Sequence, residues 1–556
     1  MTQKRTASAI DAVAEEYVDA SLALSPSLAL YLGLDGATGF DDFSPAGLAA
    51  ANDLTVETLA KLAEAEKTAD LDDVDLVTID AMRDRLTVDR DYFEAGLKHS
   101  SLNVIESPLQ SIRDAFDLMP TETTQDWEAV DTTMAAVPTS VAGYQESLSL
   151  AKSRGQVSAR IQVEKVIEQA RAVAEPGSNF DQLVAGATDA PPSLRQRLNT
   201  HAEAARESFA GLADFLGAQL LPAAGENEAC GREAYALYSR DFLGAEVDFD
   251  ETYAWGLEEL ARIDAQQREV AEKIQPGADL FEVMETLNND PERTLHGSEG
   301  LREWMQKVAD EAITELGKSH FDIPEPVRTI ECMIAPSATG GIYYTGPTDD
   351  FSRPGRMWWS VPEGVTEFAT WQEKTTVYHE GVPGHHLQVG QATYVSDTLN
   401  RWRRLMCWVS GHGEGWALYA EKLMADLGFL DDPADYLGML DSQRLRAARV
   451  VLDIGFHLGL EAPASLGGGT WNREKAWQFL TDNVAMDRSF LAFELDRYLG
   501  WPGQAPSYKI GQRLWEQFRD EAKAEDGADF DLKAFHTKAL NLGSVGLDTL
   551  GRAMKR

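Results

Sequence analysis

The sequence T-V-Y-H-E-G-V-P-G-H-H-L-Q, from Thr376 to Gln388, decides how the rest of this 556-residue chain is interpreted. It places His379, Glu380, His385 and His386 close together, although the whole chain has only 10 histidines. Neutral imidazoles bind zinc, and a carboxylate beside the metal can accept a proton during hydrolysis. The stretch therefore predicts a zinc site of the kind used for hydrolysis.

The spacing of the histidines predicts that the helix carrying them is broken. In the common His-Glu-x-x-His helix the two histidines lie on one face, about 6 Å apart along the axis. Here Pro383 takes the second position, and His385 and His386 follow it. On a straight helix neither could share an ion with His379. Proline clashes with the preceding turn, so we expect a break or bulge between residues 381 and 384 that brings a later histidine back. The alternative is a Gly-Pro turn whose histidines bind nothing.

The histidine motif, together with E-G-W-A-L-Y-A-E at 414–421, resembles the bacterial family labelled domain of unknown function 885. The family pattern is His-Glu-x-x-Pro-Gly-His-x-x-Gln followed by Glu-Gly-Trp-Ala. The resemblance covers most of the chain and is strongest between about 336 and 546. Members resemble helical zinc peptidases, such as the thimet-type oligopeptidases and the Taq-type carboxypeptidases.

The resemblance implies Zn²⁺ as the cofactor and assigns its site. The implied ligands are His379, His385 and Glu414, and the implied general base is Glu380. His386 falls on a variable position of the family pattern, whereas the residues alone leave open which of the two histidines is the ligand. Glu421 follows Glu414 on the same predicted helix face, about 10.5 Å further along, so we expect it outside the ligand set.

The composition excludes some classes of partner. The formal net charge is −41, and so acidic a chain repels nucleic acids and anionic lipids. No run approaches the roughly 20 apolar residues of a membrane span, and the N-terminal residues lack an apolar core of signal-peptide length. The 3 scattered cysteines predict neither disulfides nor a cysteine metal site. We expect a cytoplasmic protein without nucleic-acid or membrane partners; its oligomeric state is not predicted.

The hydrophobic pattern predicts a mostly α, multi-helix fold with two lobes, and the resemblance implies that it is zincin-like. Apolar residues recur at helical spacing from residue 6 to about 320, for example over 249–274. Residues 1–320 are expected to form a helical scaffold lobe that walls a cleft, and 321–556 a metal-binding catalytic lobe. Short β-branched and aromatic runs predict a small antiparallel β-sheet beside the metal-binding helix, at 327–334, 340–345 and 356–361.

Two tyrosines in the second of these runs are candidate site residues. The free edge of the sheet could pair with an extended peptide, and we expect Tyr343 to contact such a substrate. Tyr344 is expected to donate a hydrogen bond to the oxygen that becomes negative during hydrolysis. The alternative is that both are half-buried strand residues without a role in chemistry.

Further candidates follow the metal motif. Arg446, Arg449, Asp453 and His457 share one face of a helix predicted over 441–460. We expect the two arginines to bind substrate and His457 to assist catalysis. The alternative is an intrahelical Arg–Asp salt link on a solvated face.

The run R-Y-L-G-W-P-G-Q-A-P-S-Y-K at 497–509 also resembles the family. It predicts that Arg497 binds substrate and that Tyr508 is a catalytic donor, with exposed helix residues as the alternative. Lys509 adds a further cation. In a strongly acidic chain, cations that face a cleft would suit the C-terminal carboxylate of a peptide.

These features predict a zinc-dependent metallopeptidase that hydrolyses short peptides, either carboxypeptidase- or dipeptidase-like or an oligopeptidase. Glu380 would take a proton from water and give it to the leaving amine. Two alternatives remain: a metallohydrolase of non-peptide amides or esters, and a non-catalytic protein that binds metal and peptide. The preferred substrate sequence is not predicted.

Overall fold

The computed structural model describes residues 5–34, 36–335 and 341–556 and is mostly helical. The first part of the chain forms a series of helices, as the sequence predicts. These are α1 (Ala9–Leu24), α2 (Pro26–Tyr31), α3 (Pro45–Thr68), α4 (Asp73–Glu94), α5 (Pro108–Asp114), α6 (Thr124–Ser153), α7 (Arg160–Ala174), α8 (Asn179–Ala185), α9 (Pro192–Phe215), α10 (Arg232–Leu243), α11 (Phe249–Ile274), α12 (Leu280–Asn288) and α13 (Gly297–Ser319).

The second part of the chain contains the helices that surround the histidine motif. These are α14 (Thr370–Glu380), α15 (His385–Tyr394), α16 (Ser410–Asp426), α17 (Pro433–Leu458), α18 (Arg473–Asn483), α19 (Arg488–Gly500), α20 (Gln504–Asp526), α21 (Leu532–Leu540) and α22 (Leu547–Met554). None of the described helices is both long enough and apolar enough to cross a membrane.

The strands form two small sheets. The strands are β1 (Thr294–His296), β2 (Ile330–Ile334), β3 (Ile342–Thr345), β4 (Gly355–Trp359) and β5 (Glu367–Ala369). β1 pairs antiparallel with β5, and β3 pairs antiparallel with β4, which confirms the predicted antiparallel pairing for these strands. β2 instead runs parallel to β4, so the three-stranded sheet is mixed and that part of the prediction is wrong. Gly340, where one predicted strand run begins, lies outside the described residues.

The buried apolar residues form two clusters. The smaller one lies between Leu30 and Ala224 and is built largely by α6, α7 and α9. The larger one joins α1, α3 and α4 to the helices and strands from α10 onward. Helices α10–α13 thus share a core with the metal-motif helices, and the two clusters do not separate at the boundary predicted near residue 320.

Close packing of α16 against α20 positions two candidate residues. A Cβ on Gly511 of α20 would lie 2.0 Å from the carbonyl oxygen of Gly411, and one on Gly415 would lie 2.4 Å from the backbone of Gly511. Only glycine permits so close an approach of two helix backbones. The contact brings Tyr508, at the start of α20, next to Glu414 in the first turns of α16.

Candidate metal centre

The helix that carries the histidine motif is broken where the sequence predicts. α14 ends at Glu380 and α15 begins at His385, with a cis peptide bond between Val382 and Pro383. The N–H of Gly384 donates to the carbonyl of Tyr378 over 3.1 Å, which folds the second helix back over the end of the first. The predicted break is therefore confirmed, and it returns His385 to the end of α14.

Glycine is required on both sides of this break. A Cβ on Gly384 would lie 1.9 Å from the carbonyl oxygen of His379. A Cβ on Gly381 would lie 2.6 Å from the carbonyl oxygen of Val377. Any larger residue would push α15 away, so the two glycines allow the histidines to meet. The indole N–H of Trp416 donates to the carbonyl of Pro383 over 2.8 Å and ties the break to α16.

Three side chains converge at the break. The carboxylate of Glu414 lies 3.2 Å from Nε2 of His379 and 3.4 Å from Nε2 of His385. The two imidazole rings are 4.9 Å apart and stand at 87° to each other. One ligand-type atom from each residue lies within 4.8 Å of the others. Ligands bound to one tetrahedral ion at 2.0–2.2 Å are separated by about 3.3 Å, so these three donors fit a zinc ion.

A hydrogen bond at Nδ1, the ring nitrogen that does not face Glu414, fixes the orientation of the His379 ring. Its Nδ1 lies 2.7 Å from Glu421, whose second oxygen accepts hydrogen bonds from Thr375 over 2.8 Å and from Ser442 over 3.0 Å. A carboxylate only accepts, so Nδ1 donates to Glu421. Nε2 likewise donates to Glu414, and a cation bound between the two side chains would take the place of that proton. The Glu421–His379 pair is the usual support of a metal ligand, and it places Glu421 outside the ligand set, as expected.

The electrostatics of the cluster favour a cation between the three side chains. Burial acts to lower the pKa of His379, but hydrogen bonds from its ring to Glu414 and Glu421 raise it to about 10. Burial acts to raise the pKa of Glu414, but the charges of His385 and His379 hold it well below its usual value. Both pKa shifts indicate that positive charge is stabilised between these three side chains.

Glu380 lies at the end of α14, immediately after His379, and is 6% exposed. Burial raises the pKa of its carboxyl, while the charges of His385, His379 and Arg446 act against that rise. The carboxyl is thus in an apolar setting within electrostatic reach of the cluster. Such a group can exchange a proton with water beside a metal.

His386 points away from the cluster. Its Nε2 donates to the carbonyl of Val327 over 2.8 Å, so Nδ1 is the acceptor for the hydroxyl of Tyr344 at 2.9 Å. Of the two histidines that the residues alone left open, the structure brings His385 to the cluster. The Tyr344 hydroxyl gives its only proton to His386 here, and its role as a donor to substrate stays a prediction. Tyr343 is 37% exposed and stacks on Trp358 at 6.1 Å; its role also stays a prediction.

The predicted arginines and Tyr508 do come together, between α17, α19 and α20. The guanidinium of Arg449 lies 5.2 Å from the ring of Tyr508, and that of Arg446 lies 6.0 Å from it. Arg449 and Arg497 both bind the buried carboxylate of Glu494, over 2.8 Å and 3.0 Å. Burial raises the pKa of Tyr508, and the charge of Glu414 adds to that rise, so the phenol is close to the metal cluster.

His457 and Asp453 lie elsewhere. Nε2 of His457 faces the carbonyl of Tyr498 at 3.1 Å, and Nδ1 faces the N–H of Cys230 at 3.4 Å. Both nitrogens are thus used by the backbone, and burial lowers the pKa of the ring to about 4. We therefore correct the expectation for His457: it packs against α10 rather than at the metal cluster. Asp453 accepts from Tyr235 over 2.7 Å, so the alternative of an Arg–Asp link on a solvated face is also wrong.

Two residues near the cluster were not found from the sequence. Ser442 connects Glu421 to Arg446, and only its position one turn before Arg446 could have indicated it. Trp408 is 48% exposed, and its ring lies 5.9 Å from that of His385. An exposed tryptophan has no periodicity that marks it as part of a site.

The whole chain has relatives of the same fold. A "putative lipoprotein" from Colwellia psychrerythraea aligns over 98% of both chains with a TM-score of 0.82 and 22% identity. A "putative lipoprotein of unknown function" from Shewanella oneidensis aligns over 98% of this chain and 99% of that one, with a TM-score of 0.72 and 19% identity. No curated protein matches the sequence. The profile of the family described as "Bacterial protein of unknown function (DUF885)" matches residues 26–554, and the chain belongs to this family.

Proposed function

We propose that this chain is a zinc-dependent metallopeptidase that hydrolyses short peptides. The observation that carries the proposal is the convergence of His379, His385 and Glu414 at a helix break, with Glu380 in the same break. Two imidazoles and one carboxylate are a ligand set of catalytic zinc sites, which leave a further position open.

The support around the ligands favours a metal that takes part in chemistry. The Glu421–His379 hydrogen bond fixes the tautomer in which Nε2 can bind a cation. A zinc ion held there supplies Lewis-acid activation of a carbonyl group and of water. A purely structural site would use four protein ligands, whereas three converge here among the described residues.

Glu380 is the proposed general base. Its buried carboxylate takes a proton from the attacking water and later delivers it to the nitrogen of the leaving amine. Tyr508 is the proposed donor to the substrate oxygen that becomes negative, because among the described residues its hydroxyl has no hydrogen-bond partner. Preorganised donors of this kind stabilise the charge that develops in the transition state.

Metal content and Glu380 together test the proposal. Purified protein should hold about one zinc ion per chain, and a chelator should abolish hydrolysis of alanine peptides. Glu380→Gln should retain zinc but lose turnover by about 100-fold or more. The exposed Glu311→Gln on α13 is the control and should retain both.

Other outcomes would identify the alternatives. Absence of zinc after metal is added back would overturn the proposal. Zinc with turnover of esters or non-peptide amides alone would indicate another class of metallohydrolase. Zinc with Glu380-independent or absent turnover would indicate a metal-binding protein without catalysis.

The proposed partner is a peptide, with no nucleic acid and no membrane partner, on the strength of the −41 charge. We propose a cytoplasmic location from the same composition. The two structural neighbours described as lipoproteins favour the cell envelope instead. Fractionation of cells that express the native gene, followed by immunoblotting, distinguishes the two locations.

A further inference from the structure

We propose that Arg446 binds the free C-terminal carboxylate of the peptide substrate, in a subsite that it forms with Tyr508. The inference rests on the proposed peptidase function and deepens it, because it names the substrate class as peptides with a free carboxyl end. Arg446 of α17 and Tyr508 of α20 build the subsite.

Arg446 is a cation without a counterion. In the described part of the chain its guanidinium makes no ion pair with any carboxylate. Its Nη1 donates to the hydroxyl and the carbonyl of Ser442, over 2.9 Å and 3.4 Å, and its Nε is buried without a partner. The side chain of Arg446 is partly buried, and a partly buried cation is stabilised by a nearby anion. The charge of Arg446 acts on the carboxyl groups of Glu380, Glu421 and Asp441 without pairing with any of them, so its guanidinium is suited to an anion from outside.

The neighbouring cations differ from Arg446 in this respect. Arg449 and Arg497 share the carboxylate of Glu494, and Arg497 also donates to Gln504 over 2.8 Å. Lys509 is buried and pairs with Glu259 over 3.0 Å, so it does not reach this subsite. Three arginines and Glu494 thus lie beside Tyr508, and only Arg449 and Arg497 pair with that carboxylate. The Arg449–Glu494–Arg497 assembly therefore packs beside the Tyr508 ring, while Arg446 makes hydrogen bonds only through Nη1, to Ser442, among the described residues.

The position of Arg446 relative to the metal cluster limits the length of the product. Ser442 accepts from Arg446 and donates to Glu421, which in turn binds His379 over 2.7 Å. Three hydrogen bonds and two side chains, those of Ser442 and Glu421, thus connect the guanidinium to His379. An extended peptide advances about 3.3–3.6 Å per residue. A carboxylate held by Arg446 would place a peptide bond near the C-terminus at the cluster, so we expect release of a short C-terminal fragment.

A guanidinium group is well suited to bind the C-terminal carboxylate of a peptide. Its planar donors can form two parallel hydrogen bonds to one carboxylate, which an ammonium cannot do. The phenol of Tyr508, whose ring faces both Arg446 and Arg449, closes one side of the subsite.

The test uses alanine peptides of two to five residues, each as the free acid and as the C-terminal amide. Turnover is measured with the zinc-loaded full chain, and binding is measured by calorimetry with the zinc-loaded Glu380→Gln chain. Wild-type protein should prefer the acid over the amide by about 10- to 100-fold in kcat/KM, the scale of a charge-assisted hydrogen bond. Arg446→Met should bring the acid-to-amide ratio of kcat/KM, and of binding affinity, down to about one. Arg446→Lys should fall between wild type and Arg446→Met.

The matched control is Arg302→Met, which removes a half-buried arginine on α13 that pairs with Glu299 and lies outside the proposed subsite. It should keep the full acid preference. Equal turnover and equal binding of acid and amide by wild-type protein would overturn the inference without any variant. An acid preference that persists in Arg446→Met would also overturn it, because another group would then bind the carboxylate.

The binding experiment separates this inference from the proposed function. If no peptide is hydrolysed but the acid binds more tightly than the amide in an Arg446-dependent way, the peptidase proposal fails and the carboxylate subsite stands. If peptides are hydrolysed without regard to their C-terminus, the peptidase proposal stands and the subsite fails. If neither form binds, the subsite is overturned as well.

Discussion

Both ring nitrogens of His379 face carboxylates, Nδ1 that of Glu421 and Nε2 that of Glu414. Of these two carboxylates, only that of Glu414 is placed to be a metal ligand. Nδ1 donates to Glu421, which is fixed by Thr375 and Ser442, so the proton stays on that side of the ring. Nε2 faces Glu414 and would give up its proton when a metal ion binds there. The metal affinity of the cluster should therefore depend on Glu421, although that residue does not contact the ion.

Glu421→Gln should lower zinc affinity by about 10- to 100-fold, the usual effect of losing an outer partner of a ligand. The glutamine amide can donate to Nδ1, which moves the ring proton to Nε2 and blocks the ligand atom. Competition with a chromogenic chelator measures the affinity. Glu516→Gln, which changes a carboxylate paired with Lys422, is the control. Affinity within about twofold of wild type would contradict the role assigned to Glu421.

The adjacent histidines should respond in opposite ways. His385→Ala removes a ligand and should lose stoichiometric zinc. His386→Ala should keep zinc but lose about 1–3 kcal/mol of stability, because it leaves the Val327 carbonyl and the Tyr344 hydroxyl without their buried partner. Zinc analysis and chemical unfolding of both variants provide the measurement. Zinc lost only in His386→Ala would reverse the assignment.

For single residues, the sequence predicted those features of the site that depend on a few neighbouring residues. His379, Glu380 and Pro383 predicted both a metal site and a helix break, because ligand type and backbone constraint can be read from a few neighbouring residues. The positions of His457 and Ser442 could not be predicted. His457 shares a helix face with Arg446 and Arg449, but its partners are the backbone groups of Cys230 and Tyr498, which meet α17 only in the folded chain.

At the scale of elements, the break between α14 and α15 depends on glycine. Gly384→Ala should place its Cβ against the His379 carbonyl, 1.9 Å away in the present backbone, and push α15 outward. We expect loss of zinc binding together with a lower unfolding temperature. Gly211→Ala is the matched control, because Gly211 lies exposed in α9 with nothing within 4 Å of its Cβ.

The control should be neutral or stabilising by up to about 1 kcal/mol, since alanine favours a helix interior over glycine. Zinc titration and thermal unfolding of the two variants distinguish the effects. Normal zinc binding by Gly384→Ala would show that the backbone can relax around the added methyl group.

Helices were predicted more accurately than strand pairing. The pattern over 249–274 gave the bounds of α11, because helical periodicity is encoded within the segment itself. The runs that became β2 and β4 were also recognised, but their parallel pairing was not. Pairing depends on which segments meet after the helices pack, and periodicity within a strand carries no information about that.

At the scale of the whole molecule, the division of the core was also beyond the sequence. Helices α6–α9 and α10–α13 have similar amphipathic patterns, yet the first group lies mainly in the smaller apolar cluster and the second in the larger. An amphipathic pattern predicts that one face of a helix is buried, but it does not predict which element packs against that face. The contact of Gly256 on α11 with Val450 on α17 is one of the long-range details that decide it.

Asp453 lies where three parts of the larger cluster meet. Its carboxylate accepts from the Tyr235 hydroxyl of α10 over 2.7 Å and from the N–H of Gly503, just before α20, over 2.9 Å. The Cys230 thiol and the ring of His457 complete its surroundings. Burial raises the pKa of Asp453 from 3.8 to about 7, although both hydrogen bonds act to lower it. Asp453 therefore links protonation to the stability of the whole fold.

Because the folded-state pKa of Asp453 is raised, the folded chain keeps a proton that the unfolded chain releases between pH 3.8 and about 7. Its contribution to stability is therefore lost as the pH rises through that window. Asp453→Asn removes the titration, so the variant should gain about 2–3 kcal/mol relative to wild type between pH 5 and pH 8. Urea unfolding followed by tryptophan fluorescence measures the gain, with the exposed Asp70→Asn as control. A difference between Asp453→Asn and wild type that is the same at both pH values would show that Asp453 is ionised in the folded chain throughout.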